Sequence, residues 1–347
     1  TEVNPLPPHY YCPECKYSDF DSLGASIGFY RFAISHGKKA YIIFDQESNM
    51  AENLYEQFKL SGEYNDVFIS SDDAIKIADH NSMTVILDNH RPSTALCYDI
   101  IGKTKYCILI DHHRRHPDHI TCADIFFHDP SASSACEMVT EIIKYSHQTE
   151  LTKLESEALL SGIILDTKSF TLRTSPSTFE AAFFLKKAGA NTVNVKMLFK
   201  TDMVIHSEKI KFMAHAYIYR DAVSIAVWPE TVENTSTMKL ISSQVADDML
   251  NVNNAHASFT LFKDYMGTVY ISARSLGAIN VQLIMEELNG GGHQTMAAAQ
   301  INEELEDATD KLKYAIDNYL NAVNIKKNLE IKSFISPPLF YIYIIFV

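Results

Sequence analysis

Residues 107–115 read CILIDHHRR. Four apolar residues run straight into a carboxylate, two imidazoles and two guanidinium groups. A short, continuous apolar run of this kind predicts a strand buried on both faces. The polar residues then lie just beyond its carboxyl end, where open α/β sheets hold their ligands. Residues 84–93, TVILDNHRPS, repeat the arrangement, with Asp88 directly after the apolar run. A third run, GIIL at 162–165, ends on Asp166 within a helical pattern over residues 153–165. The strand-end placement predicts that these acids converge on one edge of a sheet.

Upstream, residues 18–28 read SDFDSLGASIG. Asp19 and Asp21 lie one residue apart before an amphipathic helix over residues 22–35, for which Asp21 or Ser22 is the expected N-cap. Residues 39–45 (KAYIIFD) predict another strand, and residues 132–145 and 177–190 further helices. Strands alternating with helices predict an α/β domain with a mostly parallel sheet. A polar helix over residues 201–217 then leads to a second, smaller α/β unit. It has strands at 223–228, 257–262 and 267–273, a helix over 280–288 interrupted by Gly290, Gly291, Gly292 and His293, and a last helix over 303–322. The expected division is a catalytic domain at 1–195, a helical linker at 196–215, a second domain at 216–325 and a tail at 326–347. The tail ends in the wholly apolar LFYIYIIFV, which is too short to cross a bilayer.

The chain has 347 residues, enough for two domains, and a net charge of −13. Such acidity argues against a sustained grip on long nucleic acid, which needs basic patches. It leaves room for an anionic substrate where metal ions reverse the local charge. Of the cysteines, Cys97, Cys107, Cys122 and Cys136 read as small core residues. Without a signal peptide the chain reads as cytoplasmic, with no membrane contact of its own and with reduced thiols.

A cluster of Asp19, Asp21, Asp88 and Asp166 needs cations, because like carboxylates repel. Together with His112 and His113 the donors suit Mn²⁺, Fe²⁺, Co²⁺ or Zn²⁺. Two such ions about 3.5–4 Å apart would share a carboxylate, polarise a phosphoryl group and lower the pKa of a bridging water. Gly290, Gly291 and Gly292 let backbone N–H groups line an anion site. Arg274 suits bidentate phosphate recognition, and His293 could bond a phosphate or a base.

Taken in order, SDFDSLGASIG, LDNHRPS, IDHHRR, PSASSACEMVTE, GIILDTKSFTLRT, SARSLGAINVQ and NGGGH resemble the DHH/DHH-associated-domain phosphoesterases. Within them the set is most similar to the catalytic half of the GdpP-type bacterial cyclic di-AMP phosphodiesterases. The resemblance implies two Mn²⁺ ions. Asp19 and Asp88 would hold one, and Asp21, Asp88, His112 and Asp166 the other, with Asp88 bridging. It implies that Asp111 orients His112 and that His113 faces the scissile phosphate. Arg274, the three glycines and His293 would hold the distal nucleotide. The implied reaction opens cyclic di-AMP to linear pApA by water attack, and a homodimer is compatible with it. Cys15 stands where the family has a metal-binding His, and the strand before it is expected to be poor because of Pro13. The family's membrane helices and sensory domains do not precede the motifs here. The chain is therefore expected to be either a stand-alone member or the cytosolic part of a membrane-anchored protein. The rival readings are a DHH enzyme acting on short linear oligonucleotides or pAp, and a cyclic-dinucleotide sensor with a decayed metal site.

Overall fold

The computed structural model describes the backbone of residues 9–13 and 323, and residues 19–45 and 51–322 in full. Cys15 and the tail at 326–347 lie outside the described residues. The chain divides into two units, Thr1–Lys200 and Thr201–Val347.

The first unit contains β1 (His9–Pro13), α1 (Phe20–Ser35), β2 (Lys39–Ile43), α2 (Glu52–Ser61), β3 (Phe68–Ile69), α3 (Ser71–Ile77), β4 (Ser82–Leu87), β5 (Tyr106–Asp111) and β6 (Ile125–His128). Helices α4 (Ala135–Ser146), α5 (Lys153–Asp166), α6 (Pro176–Lys187) and α7 (Thr192–Leu198) complete it. The sheet runs β3-β2-β1-β4-β5-β6, with every pairing parallel. Every residue of β4 is buried, Ser82 and Thr84 included, which explains why its apolar residues do not alternate with exposed polar ones. Alternate side chains serve opposite faces. Met83, Val85 and Leu87 join the core built with α1, α4 and α5, while Ile86 packs with Leu109 and Ile120 on the other side. Each large aliphatic chain so buried contributes about 1.5–3 kcal/mol relative to an exposed one.

The poor strand expected before Asp19 is instead a ladder member. Residues 9–13 pair with β2 along their whole length and with β4 at His9–Tyr11. Pro13 falls beyond the last β4 pairing, where the missing N–H does least harm.

The second unit contains α8 (Met203–Met213), β7 (Ala216–Tyr219), β8 (Val223–Val232), α9 (Thr235–Met249), β9 (Ala257–Asp264), β10 (Val269–Ser275), α10 (Val281–Glu286), β11 (Gly291–His293), β12 (Met296–Ile301) and α11 (Leu305–Val323). Its sheet runs β11-β12-β10-β9-β8-β7. Only the β8–β9 pairing is parallel among those described. One face carries Ile225, Phe259 and Ile271 against Ile284 and Leu312 of α10 and α11. The other carries Ala226, Trp228 and Phe262 against Phe212 of α8 and Ile241 and Val245 of α9. Helix α8 occupies the segment read as a linker, yet its Phe212 stacks edge-on to Trp228 at 5.5 Å, inside this unit. Among the described residues no helix is long and apolar enough to cross a membrane.

Candidate metal centre

Helix α1 begins earlier than its sequence pattern suggests, and Asp19 is its N-cap. Asp19 Oδ1 accepts the N–H groups of Asp21 at 2.9 Å and Ser22 at 3.1 Å, and Ser22 Oγ accepts the Asp19 N–H at 2.9 Å. One carboxylate oxygen therefore makes the cap, and the second is not needed for it. Asp21 sits inside the first turn, fully buried. Its two oxygens accept the N–H groups of Ala135 (2.7 Å) and Cys136 (2.8 Å) at the start of α4. A helix N-terminus favours an anion because its first N–H groups are unpaired.

Asp88 comes directly after β4 in the left-handed region, with φ 57°, which Asp tolerates better than most residues. Its N–H continues the ladder to Ile110 O at 2.9 Å. His112 comes directly after β5. Its Nε2 lies 3.2 Å from Asp166 Oδ2, 3.3 Å from Asp88 Oδ1 and 3.7 Å from Asp21 Oδ2. Asp166 reaches this point from the C-terminal end of α5 rather than from a strand. Three acids thus meet at His112, Asp88 from the end of β4 and Asp21 and Asp166 from helices α1 and α5. Asp166 also has Arg173 Nη2 3.8 Å away, a contact that the sequence does not flag.

The electrostatics show a site that gathers positive charge. Burial, then Asp166 and Asp21, push Asp19 up to about 7. Burial and Asp166 likewise raise Asp21, and burial with Asp21 raises Asp88 well above the carboxylate range. Burial disfavours the charged form of His112, but Asp166 and Asp88 outweigh it and raise its pKa well above the usual value. Asp88 Oδ1 and His112 Nε2 are buried without a hydrogen-bond partner among the described residues. Ligand atoms of Asp88, His112 and His113, and of Asp21, His112 and Asp166, fall within 4.8 Å of one another. Orphaned carboxylate oxygen and imidazole nitrogen in a dense acidic cluster fit divalent cations.

Contrary to what the resemblance implies, Asp111 does not orient His112. Its Oδ1 accepts the His113 N–H at 3.0 Å and His113 Nδ1 at 2.8 Å, and its Oδ2 pairs with His90 Nδ1. Burial raises Asp111, but these bonds outweigh it and hold the carboxyl well below its ordinary range. Burial lowers the His113 pKa, yet Asp88 and the Asp111 bond carry it up to about 9. His90, in the LDNHRPS run, receives no role from the sequence. Arg115 lies with its guanidinium 4.4 Å over the Phe126 ring, so it serves β6. Cys97, Cys107 and Cys136 are buried, but Cys122 is exposed rather than a core residue.

Residues 15–163 match the DHH family, N-terminal domain, and residues 223–322 match the DHHA1 domain.

The chain carries a DHH-family N-terminal domain followed by a DHHA1 domain.

It is 38% identical over 308 residues to the cyclic-di-AMP phosphodiesterase GdpP of Bacillus subtilis (strain 168), covering 88% of this chain and 47% of that protein. It is 34% identical over 309 residues to the cyclic-di-AMP phosphodiesterase PdeA of Listeria monocytogenes serotype 1/2a (strain 10403S), covering 88% and 46%. The chain thus spans about half the length of the curated relatives it matches. An exopolyphosphatase-related protein from Bacteroides fragilis shares the fold, with a TM-score of 0.75 at 19% identity over 91% of this chain and 93% of that one. The DHH family is metal-dependent, in keeping with the acidic and imidazole cluster.

In the DHHA1 domain the glycines are not an interruption of a helix. Gly291–His293 form β11, paired antiparallel with β12. Gly292 has φ 144°, and a β-carbon there would come within 2.5 Å of Ala297 Cα and Met296 O. One on Gly290 would meet Ala298 O at 2.2 Å, whereas one on Gly291 would meet nothing within 4 Å. Two of the glycines are therefore required by close strand approach, and Gly291 is not. Arg274 is register partner to Met296, and Met296 to His293. Directly paired residues share a face, and two strand spacings are about 10 Å, so Arg274 and His293 stand on one side of the sheet. Arg274 is not a freely exposed arginine. Its Nε lies 3.4 Å from Asp247 Oδ1, its Nη1 donates to Ala273 O at 3.0 Å, and burial lowers its pKa despite Asp247.

Proposed function

We propose that this chain is the hydrolytic DHH–DHHA1 part of a cyclic-dinucleotide phosphodiesterase, opening cyclic di-AMP to linear pApA with two Mn²⁺ ions. The identity to GdpP over 88% of the chain carries this reading, and the convergence of Asp21, Asp88, His112 and Asp166 within one buried cluster supports it. Asp19 and Asp88 would hold one ion, and Asp21, Asp88, His112 and Asp166 the other. Cys15, at the position of the family's His, lies outside the described residues. When bound, the ions supply charge against a phosphoryl oxygen and an activated water.

The protein's own groups do the rest. Asp21 is oriented by the α4 N–H groups, so its remaining lone pairs point consistently. His113 holds one proton on Nδ1 against Asp111, and its Nε2 addresses the phosphodiester. Arg274 and His293, on one face of the DHHA1 sheet, would receive the distal nucleotide together with Gly291.

The test is turnover with Mn²⁺ on cyclic di-AMP, linear pApA and pAp, resolving pApA from AMP. Accumulation of pApA from the cyclic substrate is expected. Cleavage of the linear substrates alone would replace this reading by an oligonucleotide or pAp enzyme. Tight binding of cyclic di-AMP with no product would replace it by a sensor.

A further inference from the structure

Asp111 ends β5 fully buried, and its two oxygens face different partners. Oδ1 takes His113 twice, through the backbone N–H and the ring. Oδ2 takes Nδ1 of His90. On the far side of that buried ring, Nε2 accepts the His116 backbone N–H at 2.9 Å. A neutral imidazole has one donor and one acceptor nitrogen. With Nε2 accepting from an amide, the ring proton sits on Nδ1 and is donated to Asp111. The His90 carbonyl accepts the Ile120 N–H at 2.8 Å, and His128 Nε2 bonds the His113 carbonyl. Residues 112–120, which carry His113, are thereby tied down at three points, two of them by His90.

We propose that His90 is a positioning residue, which fixes the Asp111 carboxylate so that His113 presents Nε2 in one orientation to the reacting phosphodiester. The proposal rests on the role given to His113 above. Its physical basis is the broad terminal torsion of Asp. A carboxylate held through one oxygen can swing about that torsion, and His113 would swing with it. A second donor on Oδ2, itself anchored by the His116 amide, removes the freedom. Outer-sphere partners of this kind typically matter by roughly 10–100-fold.

The two ends of the ring can be separated by substitution. His90→Asn keeps a donor at the Nδ1 position and loses the bond to His116. His90→Gln keeps an acceptor at the Nε2 position and loses the bond to Asp111. Three quantities are measured on each variant of the whole chain. They are kcat and KM on cyclic di-AMP with Mn²⁺, bound metal, and the His113 ring N–H resonance in ¹⁵N-histidine-labelled protein with diamagnetic Mg²⁺. The expected result is that His90→Asn keeps the resonance and most of kcat. His90→Gln should lose the resonance and roughly 10–100-fold in kcat, with KM and metal content held. Equal losses in both variants would show that His90 only supports the loop and would overturn the proposal. So would loss of metal in either variant, or an unchanged His113 resonance in His90→Gln. If the wild-type protein proves inactive on cyclic di-AMP, the functional reading fails, and the resonance alone still decides whether His90 positions His113.

Discussion

Asp21 and Gly162 touch where α1 crosses α5. A β-carbon on Gly162 would come within 2.8 Å of Asp21 Cα and Oδ1, and within 2.4 Å of Cys136 Sγ. The Asp21 carboxylate is therefore seated by helix packing as much as by its own hydrogen bonds. Gly→Ala inside a helix normally gains about 0.5–1 kcal/mol. At residue 162 overpacking should dominate, costing about 1–3 kcal/mol. Gly162→Ala is expected to lower Tm and weaken metal binding together, measured by thermal unfolding and calorimetric Mn²⁺ titration. A stabilised variant with unchanged affinity would separate the helix crossing from the site.

Asp88 is the ligand on which both ion positions depend in the proposed arrangement. Its left-handed backbone makes Asn the better probe than Ala, since Asn also tolerates that conformation. Asp88→Asn should leave the fold intact and strip both ions. Activity should fall by more than the roughly 10–100-fold typical of outer-sphere partners. Elemental analysis that still finds two ions per chain would refute a bridging role.

The pH dependence of the metal-free protein comes from the same cluster. Asp19, Asp21 and Asp88 have folded pKa values raised above their unfolded ones, as do His112 and His113. Groups of this kind stabilise the fold fully below their unfolded pKa, and that contribution is lost as pH rises through the folded value. The loss runs through about 7 for Asp19 and about 9 for His113. Asp111 is shifted downward, so its contribution is present above the ordinary carboxylate range and fades only in acid. Tm without metal should accordingly fall as pH rises from about 5 to about 9. Mn²⁺ should restore more of it at the alkaline end, where the carboxylates are charged. Melting curves with and without metal across that range decide the matter. A metal-free Tm that climbs would contradict the charge balance described here.

Much of the first unit is legible in the sequence because its chemistry sits at the ends of unbroken apolar runs. Strands β4 and β5 can be read from TVIL and CILI, and Asp88 and Asp111 from their place at the carboxyl ends of those runs. The hidden features depend on neighbours distant in sequence. The Asp111–His90 bond spans 21 positions and exists because β4 and β5 are adjacent. The N-cap falls on Asp19 rather than on the expected Asp21 or Ser22, because the α4 N–H groups claim the Asp21 carboxylate for another purpose. In the DHHA1 domain β11 and β12 are built largely from Gly and Ala, which carry little strand signal. Helix α9 escapes a sequence reading because Ser, Thr and paired Asp interrupt its apolar periodicity.

The division of labour between the domains can be tested at Gly291. Gly290 and Gly292 are poor probes, since a side chain at either would drive into β12 and distort the strand. Gly291 has open space at its β-carbon and no left-handed backbone requirement. Gly291→Ala should therefore leave Tm and metal content unchanged whatever the domain does. If substrate approaches the backbone here, the added methyl group should raise KM for cyclic di-AMP. His293→Ala should raise KM as well, roughly tenfold or more, as expected for losing a hydrogen bond to a charged group worth about 1.5–3 kcal/mol. Some loss of kcat should accompany it, because binding energy remote from the reacting phosphate also positions that phosphate. The pair of variants distinguishes a nucleotide site from a structural strand. Wild-type KM in both would leave β11 with a purely structural role.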